Sequence, residues 1–515
     1  MSRRLETLLM LGAAAGLTAI GVAPPAQAQD ARDTLRVAMY TPATPRGNVY
    51  GIQYIWPHSY WWEGVYDSFV RIDEKAQPLP FAAEKWEVVN PTTWRVTFRK
   101  NVEFGSGRTN DAVNVVKAFD YLHSEKGKVA GIMRNMKLAS YKAVDSHTVE
   151  FVTQEPDPLV IQKFAAFYIV DMTAFNEMGA DVFATKPVAS GPFHVVSWSD
   201  QEMVTVANEK SWRPGKVRNM RVVNVPDAGA RLAALESGQV DIAFNLGPDD
   251  VGRVRAAGHV AAVEPAPFVA AIAMFTRDFA SKWNKNGATP FSDRRVRQAA
   301  NHAINRPALV NDMLKGFGPA AAQPATPSTY GYNPAVKPYA YDPAKARQLL
   351  AEAGYPNGFT VLMETTAVTS GASDVLQVVA DDLGKVGIKV NVNVMPFATR
   401  SQLFSQNSWK GDMTSFAMFF SPAMDASIPF SVYGCGLPNT YTCVDSLTPL
   451  IKAQEKEMDS AKRLAILQEL MQRQHDEAMA LPLYDGFDIT GVAKRVKGYK
   501  NWNKIIHYEA MSVDG

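Results

Sequence analysis

The chain has 515 residues, which is enough for two or three domains of roughly 100 to 200 residues each. Apolar residues make up 47% of it and charged residues 20%, as in an ordinary globular protein. The 53 basic and 51 acidic residues leave a net charge of +2, and this near balance gives no case for binding nucleic acid or an acidic membrane surface.

Residues 1–28 have the pattern of an export signal. Two arginines precede an apolar run rich in Ala and Gly, and Ala26-Gln27-Ala28 fits a small-x-small cleavage site. We expect cleavage after Ala28 and a periplasmic mature chain. The alternative is an N-terminal membrane anchor, but the run is short and no second apolar run of about 18 residues follows it.

The first half of the mature chain mixes strand and helix patterns. Residues 34–40 alternate as a first strand, and Asn90-Pro91 is a hairpin signal between two further strands. Thr109 or Asn110 is predicted to cap a helix over 111–122.

In the second half, apolar residues three and four apart predict a helix that begins at Asp293. A second helix opens at Asp342-Pro343 and ends at Gly354, and a turn then leads into a strand. Further helix and strand patterns follow, with a long amphipathic helix over 460–479. This alternation predicts an α/β protein with a largely parallel or mixed sheet covered by helices.

The two blocks FSDRRVRQAANHAINRPALV and YDPAKARQLLAEAGYPNGF, at 291–310 and 341–359, carry a family resemblance. In this order and at this separation they resemble the family 5 extracellular solute-binding proteins, the periplasmic receptors of peptide, nickel and related ABC importers. The hairpin with its capped helix and the block LESGQVDIAF at 235–244 are similar to the same family. The resemblance covers the chain from about residue 34 to 499.

The resemblance implies an α/β fold, a two-lobed periplasmic-binding-protein clamp that is type II-like and of cluster C, with an extra inserted domain in the first lobe. The chain would cross between the lobes twice, near 265–271 and 481–485. The expected division is lobe I at 29–67, 186–268 and 485–515, the inserted domain at 68–185, and lobe II at 269–484.

The function that this resemblance implies is capture of a solute, peptide or peptide-like, between the lobes and its delivery to an ABC importer. Such a receptor does no covalent chemistry, because its ligand only has to favour the closed clamp over the open one. We expect the importer's permease and ATPase as partners, a monomer, and no cofactor, metal, catalytic residue or nucleic acid.

Aromatic residues near the first predicted helix are the first candidates for ligand contacts, namely Tyr60, Trp61 and Trp62, with Trp56 and His58 as weaker ones. Adjacent residues on a helix diverge by about 100°, so Trp61 and Trp62 cannot both face one side and at least one is expected in the core. A lone histidine such as His58 is more often a structural hydrogen-bonding residue.

The resemblance adds the turn at Ser190 and Gly191 and the loop after MTSFAMFF. In peptide-binding members that loop carries an Asp for the ligand's amino terminus; here Asp425 is the closest acidic residue, although Ser421 aligns nearer to the position. Arg400 is a candidate positive group, with a solvated surface role as its alternative.

The dipeptide-binding members also hold the ligand carboxylate with an Arg, whereas this chain has TTAVTSGAS at 365–373 and no basic residue there. A hydroxyl is a poor substitute for a bidentate Arg. This absence argues against a free dipeptide. A longer peptide held through its backbone, a sugar-containing solute and an opine-like solute all stay open.

The two cysteines, Cys435 and Cys443, flank a tight Gly- and Pro-containing loop. In an oxidising compartment they are predicted to form a disulfide. A metal site is the weaker alternative, because the eight histidines are scattered and make no HExxH motif.

The sequence leaves two alternative functions open. An exported hydrolase would need a nucleophile with a base, or a metal, and the chain shows no GxSxG elbow. A pair of glycosidase carboxylates leaves no spacing rule in sequence, so it is not excluded on motifs. The same clamp could also serve as a periplasmic chaperone or sensor.

Overall fold

The structure is a computed structural model. It describes residues 33–41, 46–51, 58–124, 127, 136–276, 289–366, 372–406, 408–419, 423–433, 435 and 441–514.

The strands are numbered in chain order. They are β1 Thr34–Met39, β2 Val70–Ile72, β3 Pro78–Pro80, β4 Ala83–Asn90, β5 Thr93–Phe98, β6 Leu138–Ala143, β7 Thr148–Thr153, β8 Phe193–Trp198, β9 Glu202–Ala207, β10 Asn219–Asn224, β11 Ile242–Ala243, β12 Val260–Met274, β13 Phe359–Thr365, β14 Ile388–Val394, β15 Met413–Phe419, β16 Ala480–Val492, β17 Val496–Lys497, β18 Asn501–Trp502, β19 Ile505–Ile506 and β20 Ser512–Val513.

The α-helices are referred to by their bounds. They are Ser59–Trp62, Ala112–His123, Val160–Lys163, Met172–Met178, Ala180–Thr185, Ala228–Glu236, Asp250–Ala256, Arg294–Ala303, Arg306–Ala308, Pro343–Glu352, Ala372–Gly384, Phe397–Gln406, Thr448–Lys456 and Ser460–Asp476.

One sheet of ten strands runs through both lobes, in the order β14-β13-β15-β12-β16-β11-β1-β10-β9-β8. Its two central strands, β12 and β16, are unusually long, with 15 and 13 residues. They pair antiparallel along their whole length, and the pairing shifts register between Pro265 and Val269. Because a bulge bends the strand that carries it, we take this shift as the place of the predicted hinge, which we define as residues 265–269 and 484–487.

The inserted domain has its own antiparallel sheet of four strands, in the order β4-β5-β7-β6. Its inner face is apolar, with Val96, Phe98, Val149 and Phe151 fully buried. The helix Ala112–His123 packs on it through Phe119, whose ring lies 5.0 Å from that of Phe151.

Sequence signals fix several helix starts. The side chains of Asp293 and Asp342 accept the backbone N–H groups of Arg295 and Lys345, as predicted. The prediction of Thr109 or Asn110 as a cap was wrong, because Asp111 accepts from the N–H of Asn114 and the helix begins one residue later.

Cys435 and Cys443 are joined in a disulfide, with their Cα atoms 5.0 Å apart. This prediction is therefore confirmed. Among the described residues, no helix is both long enough and apolar enough to span a membrane.

Candidate binding cleft at the hinge

The carboxyl ends of the parallel strands in both lobes face the hinge. In lobe I, β11 lies parallel to β1 and antiparallel to β16, so its end at Ala243 points along β16 toward Asp485. In lobe II, β15 lies antiparallel to β12, and its end at Phe419 pairs with Phe268 in the hinge. Ligands of open α/β sheets bind outside the carboxyl ends of strands, and here two such edges meet at one place.

A cavity of about 290 Å³ lies at this place. Lobe I, lobe II and the hinge all contribute to it. The residues that line it are Asn245, Leu246, Pro248, Asp249, Phe268, Asp312, Met313, Leu314, Lys315, Asp374, Val375, Tyr484, Phe487, Asp488, Ile489 and Lys504.

Backbone strain is concentrated around the cavity. The described chain has eight non-glycine residues with positive φ, and three of them, Asn245, Lys315 and Lys504, line this cavity at φ 53°, 54° and 63°. The turn before Lys315 is a π-helix, Leu309–Met313. Strained residues and π-helical turns are frequent at functional sites, so the cavity is a candidate site within the described part of the chain.

Lys504 is the principal cation of the cavity wall. It is only 3% exposed. Its ammonium pairs with the carboxylate of Asp488 and lies 5.8 Å from the centre of the Phe268 ring, so it is held by charge and by an aromatic face. Lys504 and its ion-pair partner Asp488 both line the cavity, so the wall carries a positive and a negative group side by side.

Glu264 lies next to this pair, opposite Asp488 in the β12–β16 register. Its carboxylate accepts hydrogen bonds from Asn501 Nδ2 at 3.1 Å and from the Tyr499 hydroxyl at 3.2 Å. Burial raises the pKa of Glu264 to about 7, and the negative charge of Asp488 adds to this effect. Glu264 does not itself line the described cavity, but its carboxyl with a raised pKa lies beside Asp488, which does.

Asp485 is a second acid of this kind, on β16 within the hinge. Burial raises its pKa to about 7. Its backbone pairs with Val269 across the β12–β16 register, and its N–H donates to the carbonyl of Pro319 at 2.8 Å. Within the described part of the chain its carboxylate has no hydrogen-bond partner, and Asp485 is not one of the residues that line the cavity.

Of the predicted aromatic contacts, Tyr60 lies nearest to this network. Its ring stacks on Phe244 at 4.5 Å, and its hydroxyl accepts from Asn501 Nδ2 at 3.4 Å. Trp61 and Trp62 are 0% exposed and belong to the lobe I core. None of these residues lines the described cavity.

The two tryptophans have partners within lobe I. Trp61 stacks on Trp198 at 6.4 Å, and Trp62 donates its indole N–H to the carbonyl of Arg46 at 2.7 Å. His58 stacks on Trp62, and burial lowers the pKa of His58 to about 4, so this histidine is neutral. Trp56 lies outside the described residues.

The turn at Ser190 and Gly191 makes contacts within lobe I. Ser190 donates its hydroxyl to Asp67 at 2.6 Å. Gly191 lies so close to Val65 that an added Cβ would meet the Val65 carbonyl oxygen at 2.4 Å. The turn therefore positions the first helical segment, and its contact with ligand stays a prediction.

In lobe II, the carboxylate of Asp425 accepts from both terminal nitrogens of Arg463, at 2.7 and 2.9 Å, and both side chains are buried. Arg400 donates to the carbonyl of Ser415 at 3.0 Å. Ser421 lies outside the described residues. Ligand roles for all three stay predictions, and Asp425 would have to leave Arg463 to bind an amine.

Sequence reasoning missed Glu264, Asp485, Asp488 and Lys504. The usable signal was position, since Asp485 lies within a predicted lobe crossing and Glu264 and Asp488 lie within three residues of one, all three in the interior of β12 or β16. Lys504 carried no signal, because it lies in a turn between two-residue strands near the end of the chain.

A continuous sheet shared by two lobes, with a cavity where their strand ends meet, defines a two-lobed binding clamp. The model of the bacterial extracellular solute-binding proteins, family 5 (middle region), matches residues 77–437, and the chain belongs to this family. Proteins of this family bind solutes and work with the permease and ATPase of ABC importers. The predicted fold class and class of function are therefore confirmed.

Known proteins of this class are similar to the chain over most of its length. Glutathione-binding protein GsiB of Shigella flexneri is 28% identical over 371 residues, which are 70% of this chain and 69% of that protein. The periplasmic binding protein DppA of Helicobacter pylori, solved with the peptide STSA, superposes with a TM-score of 0.77 at 20% identity, covering 94% of this chain and 98% of DppA. AgaA of A. tumefaciens R10, solved with agropinic acid, gives a TM-score of 0.76 at 22% identity over 94% and 99%.

Proposed function

We propose that the chain captures a small peptide or peptide-like solute in the cavity between its lobes and delivers it to an ABC importer. The cavity itself carries this proposal, because both lobes and the hinge line it and strained residues surround it. Its volume of about 290 Å³ is at the lower end of small-molecule sites. This size favours a solute of a few residues over a long extended peptide.

Four aspartates and two lysines line the cavity, so it offers groups for both the amine and the carboxylate of a zwitterionic solute, with acidic groups in excess. Lys504 offers an ammonium to a solute carboxylate, and Asp488 offers a carboxylate to a solute amine. When the solute binds, the Lys504–Asp488 ion pair would be replaced by two ion pairs, one between each residue and the solute. This exchange would favour the closed clamp. GsiB, named for glutathione, and the peptide complex of DppA are relatives with ligands of this size and charge.

An opine-like solute is the second candidate. The segment 365–373 lacks the basic residue that holds a dipeptide carboxylate in dipeptide-binding members, and the AgaA structure contains agropinic acid. A sugar-containing solute is the third alternative. An exported hydrolase fits least, because the relatives are binding proteins.

The test is mass spectrometry of the small molecules released when the purified exported protein is denatured. Short peptides would support the proposal. A single opine or glycosidic mass would contradict the peptide class and favour the corresponding alternative. An added solute that is converted into a product would contradict a pure binding role and support the hydrolase.

We also propose that the chain is exported, cleaved after Ala28 and monomeric in the periplasm. N-terminal sequencing of the exported protein checks the cleavage site, and light scattering checks the mass. The proposed lobe boundaries at 268/269 and 484/485 agree with the register shift between Pro265 and Val269. Limited proteolysis that cuts at other junctions would contradict them.

A further inference from the structure

One ion pair joins the two lobes across the cavity. Asp249 follows β11 in lobe I, Lys315 follows the π-helical turn in lobe II, and their charged groups are 3.4 Å apart. Both residues line the cavity. The partners belong to different proposed lobes, so the distance between them depends on how far the clamp is open.

The backbone holds Lys315 in place for this contact. Its φ is 54°, an unfavourable conformation for a residue with a side chain. Its ammonium also donates to the carbonyl of Asp312 at 2.9 Å. The ammonium of Lys315 is therefore held near the cavity rim by one hydrogen bond within lobe II.

A second ion pair joins lobe II to the inserted domain. Lys456, at the end of the helix Thr448–Lys456, lies 3.0 Å from Glu155, just after β7. The hydrogen bond from Lys456 lowers the pKa of Glu155. A third charged group, Arg463, lies nearby. Burial lowers the pKa of Arg463, but the negative charges of Asp425 and, more weakly, of Asp157 in the inserted domain raise it, and the net shift is upward.

We propose that Asp249–Lys315 and Glu155–Lys456 form a closure latch, two ion pairs that exist only in the closed clamp and increase its population. This inference rests on the proposed clamp function. It assigns to the rim residues Asp249 and Lys315 the control of entry into the cavity. The latch acts before any solute is bound, and its strength is independent of which solute the cavity takes.

The two ion pairs of the latch contribute only weakly to closure. All four side chains are about half exposed or more, and exposed pairs change an equilibrium by only about twofold to fivefold. Such an effect shifts the clamp toward closure without locking it. It is also screened by salt, with a Debye length of about 8 Å at physiological ionic strength.

The test measures the distance between the lobes in the solute-free protein, by pulsed electron spin resonance. Spin labels are attached at Arg255→Cys in lobe I and Lys389→Cys in lobe II, two exposed positions. We compare the parent with Lys315→Glu, Asp249→Lys and the double reversal. The control reverses Arg253 in the pair with Glu236, which is 2.8 Å long and lies within lobe I.

Each single reversal at the rim should move about half or more of the closed population to longer distances, and the double reversal should restore it, because the pair is re-formed with exchanged charges. The Arg253→Glu control should leave the distances unchanged. Unchanged distances in the single variants, or a double variant that stays open, would overturn the latch. Since no solute is added, a wrong solute class leaves this result unaffected.

The second pair is tested in the same way with Lys456→Glu and Glu155→Lys. The expected result is the same opening in each single variant and the same recovery in the double variant. High salt should reproduce the opening in the parent and have little further effect on a single variant. Insensitivity of the parent to salt would also overturn the proposal.

Discussion

Charged side chains are organised differently in the lobe I core and in the cleft. In the core, Arg213 donates to Asp67 at 2.5 Å and to Glu509 at 3.0 Å, and its remaining N–H groups bind backbone carbonyls. In the cleft, Lys315 meets Asp249 as an exposed pair and Asp485 has no described partner. The core charges are therefore structural, whereas the cleft charges are left available for a solute or for the other lobe.

The largest expected effect is on the core network. Arg213→Met leaves the buried Asp67 and Glu509 without their principal cation, so we expect a loss of about 3 to 5 kcal/mol in the free energy of unfolding. Urea unfolding measures it. The matched control is Arg221→Met, whose exposed pair with Glu202 should matter by less than about 1 kcal/mol. Equal losses of stability in the two variants would contradict the difference between buried and exposed ion pairs.

Trp61 tests the boundary between core and cleft. Because its side chain is fully buried, Trp61→Ala should lower the free energy of unfolding by about 3 to 5 kcal/mol through the cavity it leaves. Solute affinity, measured by calorimetry below the unfolding transition, should change far less. A large loss of affinity in a protein of unchanged stability would instead place Trp61 in the ligand site.

Glu264 tests the titratable group beside the Lys504–Asp488 pair. Its pKa of about 7 in the folded protein lies above the ordinary value of 4.5, so the folded state binds the proton more tightly than the unfolded state. Its contribution to stability is therefore complete below about pH 4.5 and is lost as the pH rises to about 7, by up to about 3 kcal/mol.

The measurement is urea unfolding at several pH values between 4 and 8 in the parent and in Glu264→Gln. The neutral amide should remove this part of the pH dependence. Asp485→Asn, at the other acid with a raised pKa, is the matched comparison. Parallel pH profiles in Glu264→Gln and the parent would contradict the assignment.

Lys504 tests the proposed anchor. Lys504→Met should weaken solute binding by about 2 kcal/mol or more, because a charged partner is lost from a desolvated site. The double variant Lys504→Met with Asp488→Asn removes the leftover charge, so it should recover stability without recovering affinity. The control is Lys497→Met, in an exposed pair with Asp514. Recovery of affinity in the double variant would contradict the proposal that Lys504 binds the solute carboxylate.

Local sequence signals correctly predicted two helix starts and the disulfide. Asp293 and Asp342 begin their helices because an N-cap needs only neighbouring backbone N–H groups, and the disulfide closes a short loop. The cleft depends on pairing between distant segments. Glu264 meets Asp488 across the β12–β16 register, 224 residues apart in the chain, and no local pattern encodes that register.

The predicted aromatic contacts show a second limit of prediction from sequence. A run such as Tyr60-Trp61-Trp62 fits both a ligand cleft and a core, and periodicity alone does not tell them apart. Its fully buried tryptophans pack within lobe I, against Trp198 and Tyr168. Position relative to the predicted lobe crossings was more informative than residue type.

The most direct test of the central claim is hydrogen–deuterium exchange of the protein with and without the solute released from it. If the solute binds in the cavity between the lobes, exchange should slow at 245–249, at 312–315 and at 484–488, which includes the hinge segment 484–487, with little change in the sheet of the inserted domain. Slowing confined to other segments, with these three unchanged, would contradict the site.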